Sequence, residues 1–244
     1  MARSRTSLAV SAALAGVTAA VLTAGCATGS GPSAASAPSA TTASAASTAA
    51  PPASPAGGAA APATAEPSPP RPDPRTTAAR LSIPGIGLDD LRVVPYEGTT
   101  DDRPGTHIQN RGDAASPHGP DVGVGPGETG NYLVTAHRLS AGAPLRDLPA
   151  LDEGDKVVVT LGGTVYEYRI TGTRTTSFRS ERSLAEQRAE VPGRPGERAT
   201  RAMITVSTCA TPEDDAAGNF WRDDRGNPEH RIDKIGVLVS SRPA

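Results

Sequence analysis

Lys156-Val157-Val158-Val159-Thr160-Leu161-Gly162-Gly163-Thr164-Val165-Tyr166-Glu167-Tyr168-Arg169-Ile170 is the stretch that decides how this chain folds. Two runs of β-branched and aromatic residues flank a Gly-Gly pair, and two glycines supply the positive φ angles of a tight two-residue turn, so the stretch reads as a β-hairpin. The same texture recurs outward on both sides. Residues 80–83, 91–94, 131–135, 203–206 and 235–239 are short apolar runs punctuated by Gly, Pro and Asp. Seven runs of this kind predict an all-β barrel or sandwich. Only residues 182–189 look helical, and that segment is short.

These runs lie in the C-terminal two-thirds of 244 residues. All seven aromatics (Tyr96, Tyr132, Tyr166, Tyr168, Phe178, Phe220, Trp221) fall beyond residue 95, and no acidic or basic side chain occurs between Arg5 and Glu66. Three regions follow from this split. Residues 1–26 read as an export signal: Arg3 and Arg5, an uncharged run from Leu8 to Ala24, then small residues. Leu22-Thr23-Ala24-Gly25-Cys26 resembles a bacterial lipobox with Thr23 where Leu is usual, so Cys26 is expected to carry acyl chains that tether the product. An uncleaved signal anchor is the alternative, since seventeen apolar or small residues are about the minimum that spans a bilayer. Either anchor places the domain on the outer face of the cytoplasmic membrane. Residues 27–76, almost all Ala, Ser, Thr, Pro and Gly, are too poor in large apolar side chains to fold and are expected to be a disordered linker. Extended at about 3.1 Å per residue, such a linker reaches on the order of 100 Å. Residues 77–244 remain, enough to bury a core.

A net charge of −2 argues against binding nucleic acid through a basic face, and two cysteines cannot staple a chain of this length. With Cys26 spent on the anchor, Cys209 is the only thiol of the domain, and it follows the β-branched run 204–208. Alone, such a thiol is equally well a buried small hydrophobe. His137 stands in a matching place, after residues 132–136, and a single histidine there is more often structural. Two strand-end groups meeting at one barrel rim change the reading, because cysteine and histidine together form a nucleophile and its acid/base partner. Arg231, just before the last strand, offers permanent positive charge for an oxygen that becomes negative during acyl transfer. His107, His118 and His230 lack zinc-site spacing and read as loop residues. Glu213-Asp214-Asp215 lacks EF-hand spacing and reads as a solvated loop. Phe220-Trp221, in the same loop, fits either a lid over substrate or a hydrophobic anchor.

Three motifs carry a family resemblance. Gly130-Asn131-Tyr132-Leu133-Val134-Thr135-Ala136-His137-Arg138, with Gly142-Ala143-Pro144-Leu145-Arg146 and Leu151-Asp152-Glu153-Gly154-Asp155-Lys156-Val157 after it, resembles the histidine segment of bacterial sortases, closest to class E of actinobacteria. Val191-Pro192-Gly193-Arg194-Pro195-Gly196 and Ile204-Thr205-Val206-Ser207-Thr208-Cys209 resemble that class's loop and cysteine strand. His230-Arg231-Ile232 and Ile235-Gly236-Val237-Leu238-Val239 resemble its terminal arginine strand. The motifs stand in the family's order, with 72 residues from His137 to Cys209 and 22 more to Arg231. Three departures accompany them: Ala136 where class E usually has Gly, a long acidic segment between Cys209 and Arg231, and a glycine-rich insertion from about Thr106 to Glu128.

The resemblance implies a closed sortase-type β-barrel with one or two short helices. It implies a transpeptidase that cleaves an LAxTG- or LPxTG-like C-terminal sorting signal between Thr and Gly. Cys209 is then the nucleophile that holds the substrate as a thioester, His137 the acid/base, and Arg231 the group that binds the oxyanion or the substrate backbone. Thr208, beside the nucleophile, is a candidate substrate contact. The partners implied are secreted proteins with sorting signals and an amine from a peptidoglycan precursor or pilin, with neither metal nor organic cofactor. A catalytically silent sortase-fold binding module and an exported cysteine peptidase without transfer activity are the rival readings.

Overall fold

The computed structural model describes residues 72–244; the expected signal segment, Cys26 and most of the linker lie outside the described residues. Residues 72–76, at the end of the expected linker, are tied to the domain through Arg75, whose Nε lies 2.8 Å from Glu128 Oε2.

Eight strands close into a barrel in the order β1-β2-β3-β4-β7-β8-β6-β5. They are β1 (Ala79–Ile83), β2 (Leu88–Glu97), β3 (Ala114–His118), β4 (Gly130–Thr135), β5 (Lys156–Leu161), β6 (Thr164–Ser177), β7 (Ala202–Cys209) and β8 (His230–Pro243). The expected hairpin is β5–β6, paired from Lys156↔Arg169 to Leu161↔Thr164. Gly162 and Gly163 form its turn at φ 52° and 81°. Strand β6 continues past the hairpin and pairs along its length with β8, from Thr164↔Pro243 to Ser177↔His230.

Seven strands match the seven apolar runs, and β3 is an addition. Its sequence, Ala-Ala-Ser-Pro-His, has no β-branched residue, so the region expected to be an insertion from 106 to 128 in fact supplies a barrel strand. Strand β3 lies parallel to β2, from Val93↔Ala114 to Glu97↔His118. Three short α-helices are present where the sequence pointed to one: α1 (Arg103–Gln109), α2 (Glu181–Arg188) and α3 (Thr211–Ala216). The expected 182–189 segment is α2, capped by Ser180, whose hydroxyl accepts from the Ser183 amide. Helices α1 and α3 each carry Pro in the first turn, where the missing N–H costs nothing.

Even-numbered residues of β4 and β7 (Tyr132, Val134, Ile204, Val206) point into the barrel and join Leu81, Ile83, Leu148, Val157, Val159 and Tyr168 in its core. Each Val, Leu or Ile fully removed from water there contributes about 1.5–3 kcal/mol. Ala136 belongs to the same cluster at 2% exposure, so its methyl faces the core and not the rim where His137 sits. Odd-numbered residues point outward beneath α2 and the segment after it. Met203, Ile235 and Val237 pack there with Val191. Gln187 of α2 reaches Ser207 and Asp233.

Candidate active site

Strands β4 and β7 run parallel as direct neighbours, from Gly130↔Ala202 to Thr135↔Ser207. The Ala136 amide extends the ladder by donating to the Ser207 carbonyl at 3.3 Å. His137 and Cys209 therefore leave the sheet at one level, each two residues beyond the Thr135↔Ser207 pair. Antiparallel β8 completes the set, because its register places Arg231 opposite Cys209. A histidine just past the end of β4, a thiol on β7 and a guanidinium on β8 thus meet one rim of the barrel on three consecutive strands or their ends.

Arg231 is the best-fixed of the three. It is 3% exposed. Its Nη1 contacts Cys209 Sγ. Its other edge meets Asp101, with Nη2 2.7 Å from Oδ1 and Nε 3.2 Å from Oδ2. Its planar face lies 4.4 Å from the centroid of the Phe178 ring, a cation–π arrangement. Burial opposes the guanidinium's charge, but Asp101 and Cys209 outweigh it and hold Arg231 above its ordinary value.

Cys209 is half-buried and free of any disulfide. Burial pushes its thiol up, Arg231 pulls it back, and Asp101 and Asp223 reinforce the rise. His137 shifts the other way: burial, then Arg231, hold its imidazole below the usual value against the pull of Asp101. Both shifts favour the neutral forms, thiol and imidazole, over the ion pair. The ring's Nε2 lies 2.7 Å from Asn110 Oδ1. With the Asn110 amide oriented so that Oδ1 meets the ring, the matching tautomer carries its hydrogen on Nε2 and leaves Nδ1 as the nitrogen able to take up a proton.

Thr208 projects from the face opposite Cys209, since successive strand residues alternate. Its hydroxyl donates to the Ala136 carbonyl at 2.9 Å, and it is 1% exposed. That bond ties β7 to β4 directly behind the thiol and imidazole. Arg138 adds a second tie: Nη1 donates to the Cys209 carbonyl at 3.3 Å and Nε to the Arg146 carbonyl at 3.2 Å. The same guanidinium grips Glu213 of α3, with Nη2 2.9 Å from Oε1.

The acidic segment after Cys209 is largely engaged with basic partners. Besides Glu213, Asp214 takes His230 Nδ1 at 2.6 Å and Asp215 takes Arg222 at 2.5 Å. Glu213, Asp214 and Asp215 lie in α3 rather than in a solvated loop, and His107, His118 and His230 lie in α1, β3 and β8 rather than in loops. Trp221 is half-buried and stacks with Arg179, 5.7 Å from its ring centroid, whereas Phe220 is 71% exposed.

Sequence reasoning missed Asp101, Asn110 and Phe178. The Asp-Asp-Arg-Pro run did hold a signal for Asp102, which caps α1 by accepting from the Gly105 amide at 2.8 Å. Nothing local distinguished Asp101 or Asn110. A cleft of about 970 Å³, walled by residues 119–124, α2 and residues 195–199, meets the sheet at Asn131, at the opposite end of β4 from His137. Among the described residues no helix is long and apolar enough to cross a membrane.

A sortase domain model matches residues 81–220. Among solved structures, the SrtA sortase of Actinomyces oris is similar at 21% identity and a TM-score of 0.52, covering 74% of this chain and 89% of that one. Sortase E1 of Streptomyces coelicolor, solved with a tripeptide in the active site, is 21% identical with a TM-score of 0.51, covering 70% and 93%. The SrtF sortase of Corynebacterium diphtheriae is 20% identical with a TM-score of 0.50, covering 71% and 89%. A comparison with curated protein sequences finds no match. The matched domain covers more than half of the chain, and the barrel is the one these structures share: the chain belongs to the sortase family.

Proposed function

We propose that this sortase is a class E-like transpeptidase that cleaves LAxTG- or LPxTG-like sorting signals between Thr and Gly and transfers the acyl fragment to an amine of the cell wall. The observation that carries the proposal is the cross-strand pair Cys209↔Arg231, with Nη1 of the arginine on the thiol and His137 at the same level of the neighbouring strand.

The chemistry begins with transfer of the Cys209 proton to His137, for which Nδ1 is the available nitrogen. The thiolate attacks the Thr carbonyl carbon and the C=O electron pair moves onto oxygen, beside the Arg231 Nη1 edge. Collapse breaks the C–N bond to Gly, and imidazolium His137 gives its proton to the departing amine. The thioester remains. An incoming amine loses a proton to His137 as it attacks the thioester, and the thiolate leaves. Thr208 serves this reaction through its bond to Ala136, which fixes the spacing of the two strands; the sequence expectation of a direct substrate contact stays with its backbone. The lipobox-like Cys26 or the apolar run before it tethers the enzyme to the outer face of the membrane, and the Ala/Pro-rich linker gives the barrel its reach into the wall. The core-facing methyl of Ala136 removes one argument for a silent binding module.

Intact mass of the purified domain after incubation with LAxTG and LPxTG peptides tests the proposal, with triglycine as acceptor and Cys209→Ala as control. The expected result is an acyl adduct lost in the control, followed by a triglycine-capped peptide. Hydrolysed peptide without the capped product identifies a peptidase, and no adduct on a folded, reduced protein identifies a binding module.

A further inference from the structure

The loop between β2 and α1, residues 98–102, plays no part in the reaction above, yet it reaches the centre of the site. Asp101 sits at its tip with φ 62°, a left-handed backbone that residues with a side chain avoid. Three neighbours hold it there. Its carbonyl accepts from Arg225 Nη1 at 2.5 Å, from the β7–β8 loop. The Thr99 carbonyl accepts from Tyr96 Oη at 2.6 Å, and the Thr99 hydroxyl accepts from Arg188 of α2 at 3.1 Å. Gly105 lets α1 approach closely, since a Cβ there would lie 2.3 Å from Tyr96 Oη.

The carboxylate delivered by this loop is 4% exposed and faces a guanidinium that is 3% exposed. A buried arginine has two edges and two faces on which to make contacts. Here Asp101 occupies the Nε/Nη2 edge through two oxygens and Phe178 covers one face, so Nη1 is left to meet Cys209. A fork fixed in this way is preorganised for an oxygen forming at the thiol and needs no rearrangement when charge develops. The same carboxylate offsets the arginine's charge, without which a buried guanidinium would stand uncompensated.

We propose that Asp101 is a positioning residue: it fixes Arg231 with its Nη1 edge toward Cys209 and offsets its charge until the oxyanion forms. The proposal rests on the transpeptidase reading for its catalytic consequence, but the coupling of Asp101 to the thiol does not. The charged groups acting on the thiol are Arg231 from β8, Asp101 from the β2–α1 loop and Asp223 from the β7–β8 loop, and His137 leaves the sheet at the same level after β4.

Asp101→Asn and Asp101→Gly test it, since Asn and Gly both tolerate a left-handed backbone and so preserve the loop. Two measurements are needed. The first is the pH dependence of Cys209 alkylation by iodoacetamide, which requires no substrate. In Asp101→Asn the thiolate is expected to form at lower pH than in the wild type, because a negative neighbour has gone while one acceptor still holds Arg231. The second is turnover of the sorting peptide, where kcat is expected to fall about 10-fold in Asp101→Asn and about 100-fold in Asp101→Gly, with KM within about 2-fold. A thiol titration unmoved or moved upward in folded Asp101→Asn overturns the proposal, since mere loosening would release Arg231 and raise the thiol. Wild-type kcat in both variants overturns it as well. If the alkylation shift is found but the wild type forms no thioester with any signal peptide, the transpeptidase reading falls and the link between Asp101, Arg231 and the thiol stands.

Discussion

Arg231 and Asp233 project from the same face of β8, two residues apart and almost fully buried, yet the barrel keeps them by opposite means. Arg231 is met by a carboxylate and a thiol, and it keeps its charge against burial. Asp233 touches no basic group. It accepts from the Thr176 hydroxyl at 2.6 Å, the Ser207 hydroxyl at 2.6 Å and Gln187 Nε2 at 2.9 Å. Burial pushes its carboxyl up, and the three neutral donors, with Arg231 farther off, offset only part of that rise. The difference separates two tasks. At the rim, beside the thiol, a counter-ion secures the charge. One step deeper, where α2 is fastened to the sheet, two hydroxyls and an amide take the place of a counter-ion.

Removing Arg231 should have the largest effect. Arg231→Ala is expected to lower kcat by about 10²–10³, the usual loss when an oxyanion donor is deleted, while Arg231→Lys keeps the charge, loses the fork and falls between; peptide cleavage followed by chromatography measures both. A loss under tenfold in Arg231→Ala would break the contrast, because it would make the rim pair structural like its neighbour. Next comes the pH profile. The proposed mechanism pairs thiolate with imidazolium, and His137 is held below its ordinary value while Cys209 is raised above its own. Activity should therefore follow a bell whose acid limb lies below the usual histidine range and whose alkaline limb lies above the usual thiol range. A narrower bell would mean that the two groups titrate unperturbed.

Ser207→Ala probes the deeper site. Deleting one donor to a buried carboxylate should cost about 2 kcal/mol at pH 8. The sign of the pH dependence follows from the raised carboxyl: its contribution is fully present below the unfolded value and is lost as pH rises through the folded one. The cost of Ser207→Ala should accordingly shrink at pH 5, where more of Asp233 is protonated; urea melts at both pH values measure it. An equal cost at both pH values would show that Asp233 does not change charge between them. Glu213→Gln should have the smallest effect, under about 1 kcal/mol and with activity within about twofold, because that carboxylate is half-exposed and water screens its pair with Arg138.

Much of this was written in local sequence. The β-branched runs and the Gly-Gly turn foretold seven of eight strands, and strand-end placement together with family resemblance singled out Cys209, His137 and Arg231. Strand β3 was invisible because Ala-Ala-Ser-Pro-His becomes a strand only through its neighbours, parallel β2 and antiparallel β4. Two of the three helices escaped notice despite Pro in the first turn, being too short to show periodicity. Asp101 and Asn110 were beyond reach for a different reason. Their roles depend on how one loop and one helix end fold back onto the rim, and no spacing in the chain encodes that.

The separation between the partners of the rim ion pair carries a last consequence. Asp101 and Arg231 lie 130 residues apart, and the parallel pairing of β4 with β7 encloses the whole β5–β6 hairpin between them in sequence. Contacts of such long range form slowly, because chain closure must be completed before they are rewarded. Pairing of β7 with β8 brings Arg231 to Cys209 across only 22 residues, whereas the carboxylate that fixes the guanidinium must come from 130 residues away. The native pH dependence of Cys209 alkylation is therefore expected to appear in refolding only once the loop carrying Asp101 has docked on Arg231, which timed iodoacetamide pulses measure.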